Sequence, residues 1–261
     1  MNYIITWRED LPEPIMKQIN RINDMVEGGK IYAHGTKHLV AVDCIIFGYD
    51  LIEKEIKLLL FKRIVEPAKG KWSLAGGFVE VDESLDASAS RILKNLTGLD
   101  SVYLKQLYSY GEVNRDPGAR VISVVYFALI ALRDIDKDLA MENGVHWRSL
   151  NRLPDLIFDH PLMVKRALRD LQEQLKIKPV GFELLPEKFT LVQLQDLYEA
   201  LYQKKIDKRN FRKKILSMDI LEKLDEKERE TSKRGAYYYR FNKTRYEHLA
   251  QNGFYFNLDV N

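Results

Sequence analysis

The sequence has little cysteine and no long apolar segment. Cys44 is the single cysteine among 261 residues, which excludes an intramolecular disulfide and a cysteine-based zinc site. The longest uncharged apolar-rich run, residues 121–132, is too short to span a bilayer, and its β-branched and aromatic residues favour a buried strand. The first ten residues carry acids and no signal-peptide apolar block. These absences predict a cytoplasmic protein with no membrane partner.

The net charge of the whole chain is also small, at +3. The basic excess belongs to the C-terminal third, since residues 185–261 hold 16 Lys and Arg against 12 Asp and Glu. Most charged surfaces are only solvated, so this asymmetry alone identifies no partner.

Apolar periodicity and turn residues divide the first two thirds of the chain into elements. Ser84 is the expected N-cap of one helix and Gly98 its expected end, while neighbouring strand-like runs predict an antiparallel pair. The predicted elements, in chain order, are a helix at 14–26, strands at 38–50 and 55–64, a helix at 84–98, strands at 102–112 and 121–132, and a helix at 161–175. This order predicts an α+β fold or a mixed α/β/α layer arrangement.

A domain boundary is predicted where prolines and a glycine interrupt the helical patterns, at 176–190. We therefore expect one domain over residues 1–177 and a second over 178–261. The second begins with a helix capped by Thr190, continues with a basic helix at 207–224, and ends with a hairpin of aromatic strands. This outline is typical of a winged helix-turn-helix.

Residues 77–99, GFVEVDESLDASASRILKNLTGL, place glycines, an acid and an arginine at fixed intervals between a strand and a helix. The spacing resembles the Nudix box, G-x5-E-x7-R-E-U-x-E-E-x-G-U, where U is a bulky aliphatic residue. The matching positions are Gly77, Glu83, Arg91, Leu93, Gly98 and Leu99. The preceding LAGGF resembles the usual L-P-G-G-F lead-in. The resemblance covers about residues 38–175 and implies a Nudix-like α/β/α sandwich, in which Glu83 pairs with Arg91 to hold the loop.

The metal-binding acids of the box are missing. Its three glutamates, which would share one helix face and bind Mg²⁺, are replaced by Ile92, Asn95 and Leu96. Hydrolysis of a diphosphate needs that metal, so we expect no enzyme activity, no metal and no cofactor. The alternative is an active pyrophosphohydrolase that uses Glu80, Asp82 or Glu83 as ligands.

A fold that has lost its metal can still bind a ligand beside the box. We expect polar residues on apolar strands or on the glycine loop to contact this effector, with an aromatic ring to stack on a sugar. The candidates are Asp43, Lys71, Ser73, Glu80 and Glu112, with Lys62 in addition, and Trp7, Trp72 or Tyr110 as the ring. For each of them the alternative is a solvated surface group or a structural ion pair.

The segment KKIDKRNFRKK, residues 204–214, carries seven basic residues and one acid. Asp207 is placed to cap a helix whose apolar face holds Phe211, Ile215 and Met218. The candidates for DNA contacts are Lys208, Arg209, Asn210, Arg212 and Lys213 on the helix, with Lys233 and Arg234 on the wing. Arginine reads guanine, asparagine reads adenine, and lysine holds phosphates. The alternative is a solvated charged helix that never meets DNA.

A degenerate Nudix box followed by this winged helix resembles the Nudix-related transcriptional regulators. The resemblance implies a Nudix-like domain that senses a metabolite, a winged helix that binds operator DNA, and a homodimer. The chain most resembles the arabinose-responsive branch. Because the metal-binding glutamates are missing, we expect a pentose effector, L-arabinose, in place of a diphosphate. The alternative is an ADP-ribose-sensing regulator of NAD metabolism.

Overall fold

The computed structural model describes residues 12–27, 36–99, 104–135, 137–229, 235–254, 256 and 258. The chain divides into two compact units, Met1–His38 and Leu39–Asn261. The first contains helix α1, Glu13–Glu27, which confirms the predicted N-terminal helix. Trp7, the proposed stacking ring, lies outside the described residues.

The second unit is built on a mixed sheet that has seven strands within the described residues. The strands are β1 Leu39–Asp50, β2 Glu55–Lys62, β3 Trp72–Ser73, β4 Ala75–Phe78, β5 Lys105–Tyr110, β6 Val121–Ala131 and β7 His146–Ser149. The central order is β3-β2-β1-β6-β5, with β4 paired to β1 and β7 to β2. The predicted antiparallel pairing of β1 with β2 is confirmed, with Phe47 opposite Leu58. The parallel pairing of β1 with β6 places Val42 opposite Val124.

Helices cover both faces of this sheet, which confirms the predicted α/β/α sandwich. They are α2 Leu85–Thr97, α3 Lys137–Glu142 and α4 His160–Ile177. Because side chains alternate along a strand, Cys44 and Ile46 of β1 pack with Ile92 and Leu93 of α2. Ile45 and Phe47 pack on the opposite face, in the cluster that contains Met163 of α4. Strand β1 is buried on both faces because each face has its own helix layer.

The C-terminal part confirms the predicted winged helix-turn-helix. Its elements are β8 Phe189–Thr190, α5 Leu191–Tyr202, α6 Lys208–Ser217, β9 Leu221–Glu228, β10 Ala236–Phe241 and α7 Lys243–Gln251. The strands form a separate sheet in the order β8-β10-β9. Thr190 caps α5 as expected, since its hydroxyl accepts a hydrogen bond from the Gln193 amide.

One prediction about this part was wrong. The basic helix was expected to continue to residue 224, but it ends at Ser217, and Asp219 takes a left-handed turn with φ of 56°. Residues 221–228 instead form β9, which pairs with the aromatic strand β10. Strand β9, LEKLDEKE, shows no alternation of apolar and polar residues, so its pairing with β10 decides its conformation.

The segment at 176–190 is packed and is not a free linker. Phe182, Leu184 and Leu185 are buried in the cluster that also holds β1 and α4 side chains. The Arg133 guanidinium donates hydrogen bonds to the carbonyls of Glu183, at 3.3 Å, and Leu185, at 3.0 Å. One apolar core therefore continues from the Nudix-like sheet into the winged helix, and the boundary at 177/178 stays a prediction.

No helix in the described ranges is long and apolar enough to cross a membrane.

Candidate functional site

The loop before α2 is held by the ion pair that the sequence predicted. Arg91 donates to both carboxylate oxygens of Glu83, at 2.9 and 2.5 Å, and the Glu80 amide donates to the same carboxylate at 2.9 Å. These hydrogen bonds, led by that of Arg91, lower the pKa of Glu83 to about 2. Ser84 caps the following helix, and Gly98 ends it in the left-handed region. The carboxylate of Glu83 is thus committed to shaping the loop.

A cleft of about 540 Å³ lies beside this loop. Its wall on α2 is formed by Ile92, Asn95 and Leu96, the positions that match the metal-binding glutamates of the box. Two hydrocarbon side chains and one amide do not fit a magnesium ion, which prefers carboxylate oxygens. Among the described residues, no group of three or more His, Cys, Asp or Glu side chains is placed to hold a metal. The α2 wall of the cleft therefore holds no carboxylate at the three positions of the box.

The opposite wall of the cleft is basic. Lys62 and Arg63 line it at the end of β2, while Glu142 is the acid in the lining. The Lys62 ammonium lies 5.2 Å from the centre of the Trp72 ring, and the Arg148 guanidinium lies 5.0 Å from the same centre. The Arg63 guanidinium donates to the Pro67 carbonyl at 2.9 Å and lies over the Phe158 ring, so both cations also contact residues outside the lining. Two cations in the lining of a cleft favour an anionic ligand.

The structure does not bring the proposed effector residues together in one site. Ser73 lines the cleft, although it is buried and its hydroxyl donates to the Leu74 carbonyl at 3.0 Å. Lys71, Glu80 and Glu112 are exposed and are not among the residues that line the cleft. Arg63 and Asn143, which do line it, were missed by the sequence analysis. The signal available for Arg63 was its position next to Lys62 at the end of an apolar strand.

Asp43, another proposed effector residue, lies inside the fold. Its carboxylate accepts hydrogen bonds from Ser123, at 2.5 Å, and from Arg115, at 3.5 Å. Arg115 is itself buried and donates two further bonds to Asp159, at 2.7 and 2.8 Å. His160, at the start of α4, accepts a hydrogen bond on Nδ1 from the Leu74 amide at 3.2 Å. This network joins β1, which holds Asp43, to the start of α4, the helix that precedes the winged helix.

His160 should make the protein sensitive to acid. Burial lowers its pKa below the usual value, although Asp43, with an oxygen 3.7 Å from Nε2, and Asp159 oppose the shift, while Arg115 and Arg63 add to it. Below about pH 6.5 the unfolded chain binds a proton that the folded chain does not, so stability falls as pH falls. We expect His160 to contribute a loss approaching 1.4 kcal/mol per pH unit below that point.

Denaturant unfolding of the wild type and of His160→Gln between pH 7.5 and 5 measures this contribution. The variant should show a flatter dependence, whereas the exposed control His248→Gln should follow the wild type. Parallel curves for all three proteins would contradict the assignment.

Helix α6 has the two faces expected of a helix that reads DNA. Asp207 accepts a hydrogen bond from the Asn210 amide at 2.8 Å, and Phe211, Ile215 and Met218 are buried. Phe211 packs against Tyr198 of α5, with ring centroids 5.8 Å apart. The predicted DNA-contacting residues of the helix are all exposed: Lys208, Arg209, Asn210, Arg212 and Lys213. Lys233 and Arg234 lie outside the described residues.

Comparison with known families assigns a family to each of the two domains. Residues 37–171 match the Nudix domain family, and residues 181–241 match the family described as the NrtR DNA-binding winged helix domain. The protein is therefore of the class that joins a Nudix domain to a winged helix.

Individual relatives narrow the class further. The chain is 34% identical over 207 residues to the ADPR responsive transcriptional repressor NtrR of Acinetobacter baylyi, covering 78% of this chain and 82% of the relative. It is 31% identical to Shewanella oneidensis NrtR crystallised with a 27mer DNA, with a TM-score of 0.67, covering 77% of this chain and 93% of that one. An ADP-ribose pyrophosphatase of Methanocaldococcus jannaschii is 37% identical over 141 residues, which cover 54% of this chain and 77% of that relative. This chain belongs to the NrtR family of Nudix-related transcriptional regulators.

These relatives overturn the prediction of an arabinose-responsive, carbohydrate-related regulator. The Acinetobacter relative is named for its response to ADP-ribose, a diphosphate. The error arose because the missing glutamates were used to exclude a diphosphate ligand. They bear on hydrolysis and do not exclude the binding of a diphosphate.

Proposed function

We propose that this protein is an ADP-ribose-responsive repressor that binds operator DNA through α6 and releases it when the cleft is occupied. The observation that carries the proposal is the combination, in one packed unit, of a cleft with two cations and an exposed basic helix. The family membership supports the DNA-binding role, and the Acinetobacter relative supports the effector.

Helix α4 is suited to connect the two sites. At its start, His160 accepts a hydrogen bond from Leu74, which lines the cleft. Near its end, the Gln172 amide donates to the carbonyls of Leu201 and Tyr202 at the end of α5, at 3.2 and 3.3 Å. A ligand that displaces Leu74 thereby shifts α4, and α4 in turn shifts the winged helix. In a homodimer, which we also propose, such a bias changes the spacing of the two recognition helices.

Binding of the chain to DNA from its own upstream region, with and without ADP-ribose, tests the proposal. We expect specific binding that weakens as ADP-ribose is added, while L-arabinose has no effect. Lys62→Gln should reduce the response to ADP-ribose but leave the affinity for DNA in its absence unchanged. DNA affinity that is indifferent to ADP-ribose would refute the sensing role.

Hydrolysis of ADP-ribose is the second candidate activity. The Methanocaldococcus relative favours it, whereas Ile92, Asn95 and Leu96 in the cleft wall argue against it. We propose that the chain binds ADP-ribose without hydrolysing it. Incubation with Mg²⁺ and ADP-ribose distinguishes the two: turnover that Glu83→Gln abolishes would establish a hydrolase, and intact ADP-ribose supports a sensor.

A further inference from the structure

A second cavity, of about 860 Å³, lies where the turn between β1 and β2 meets the winged helix. The winged helix lines it with Lys208 and Arg212 of α6 and with Tyr237 of the wing strand. The Nudix domain contributes Tyr49 at the end of β1, and Leu51 and Lys54 from the turn that follows. A residue of the Nudix domain thus lies on the same concave surface as two residues of the recognition helix.

Three basic residues, Lys54, Lys208 and Arg212, line this surface together with two acids, Asp196 and Glu228. Lys208 and Arg212 are exposed and are four residues apart, so they lie on one face of α6. Lys54 is the basic residue that the Nudix domain adds to the lining. Its position is set by a tight turn, since Lys54 has a left-handed φ of 55°. The three cations come from two parts of the fold, as expected for a surface that follows an extended polyanion.

Lys54 already has one partner, and its own end of that contact is exposed. Its ammonium lies 2.8 Å from Asp196 of α5; the Lys54 side chain is 56% exposed and that of Asp196 is 21% exposed. Water screens the lysine end of this ion pair, which leaves the ammonium accessible to a second anion. A DNA phosphate offers the same ammonium an anion whose binding also releases condensed counterions.

We propose that Lys54 binds a phosphate of the DNA backbone, so that the DNA-binding surface extends from the winged helix onto the Nudix domain. The inference rests on the proposed DNA-binding function. When DNA is absent, Lys54 pairs with Asp196, so Asp196 competes with the DNA phosphate for the Lys54 ammonium.

The two residues of the ion pair provide the test, because a purely structural bridge and a DNA contact predict different results. Phosphate contacts do not depend on sequence, so a mixed-sequence DNA duplex serves as the probe. Affinity is measured for the full chain by fluorescence anisotropy across a series of salt concentrations. Lys54→Gln should weaken binding several-fold and reduce the slope of log K against log salt by about 0.9. Asp196→Asn should leave the slope unchanged and strengthen binding.

Lys176→Gln is the matched control, since the Lys176 side chain is 43% exposed, is paired with Glu173 at 2.8 Å, and lines neither cavity. It should bind as the wild type does. Thermal unfolding of each variant verifies that the fold is retained. Equal weakening by Lys54→Gln and Asp196→Asn, with no change in slope, would overturn the proposal and identify a structural bridge. Wild-type binding to the same duplex separates that failure from a failure of the DNA-binding function itself.

Discussion

Replacing Arg115 with alanine is expected to destabilise the protein by about 3–5 kcal/mol, because the substitution leaves the buried Asp43 and the half-buried Asp159 without their counter-charge. The Arg115 side chain is 4% exposed and lies between Asp159 and Asp43. Its two short hydrogen bonds to Asp159 have the bidentate geometry that a guanidinium provides. Urea denaturation followed by circular dichroism measures the loss.

Arg115→Lys retains the charge but not the bidentate geometry, so it should lie between the wild type and the alanine variant. Arg152→Ala, at an exposed arginine of the same domain, should change the free energy of unfolding by less than about 0.5 kcal/mol. A loss in Arg115→Ala no larger than in Arg152→Ala would show that the buried network contributes nothing to stability.

The second large effect is expected at the recognition helix. Replacing Arg209 or Asn210 with alanine should cost about 1–3 kcal/mol of operator affinity and relax the base preference at one position of the site. Both side chains are exposed near the start of α6, where a recognition helix contacts base edges. Neither contributes to the buried face, so thermal stability should not change. Competition binding against operators with single base changes measures the preference.

Lys213→Ala is the comparison variant, because a phosphate contact carries no sequence information. It should weaken binding equally for all sequences and lower the salt slope by about 1. If Arg209→Ala and Asn210→Ala behave like Lys213→Ala, α6 holds the backbone and another element reads the bases.

These variants probe two halves of one molecule whose cores are continuous. Phe182 stacks on Phe241 of the winged helix, with centroids 4.4 Å apart, and belongs to the same cluster as Phe47 of the Nudix sheet. Because packed interiors transmit displacements, a change at the cleft has a physical route to the DNA-binding surface. The expected coupling is reciprocal: DNA should weaken ADP-ribose binding by the factor with which ADP-ribose weakens DNA binding.

Local sequence determined most of the elements and several of their ends. Strand β1 and helix α6 follow from apolar periodicity, and Asp207, Thr190 and Ser84 cap their helices as predicted. These features depend on interactions within a few residues, which a sequence displays directly. The Glu83–Arg91 pair was expected from the resemblance to the Nudix box, and the structure contains it.

Contacts between distant segments decided what the sequence alone did not. Asp43 and Arg115 are 72 residues apart, so only the folded sheet shows that Asp43 is paired internally and does not face a ligand. Strand β9 and the packed segment at 176–190 take their form from partners elsewhere in the chain. The sequence by itself determined the two domain types and the start of the basic helix α6 at its Asp207 cap. The tertiary structure decided which cations face the cleft, because burial and charge pairing depend on neighbours that only folding brings together.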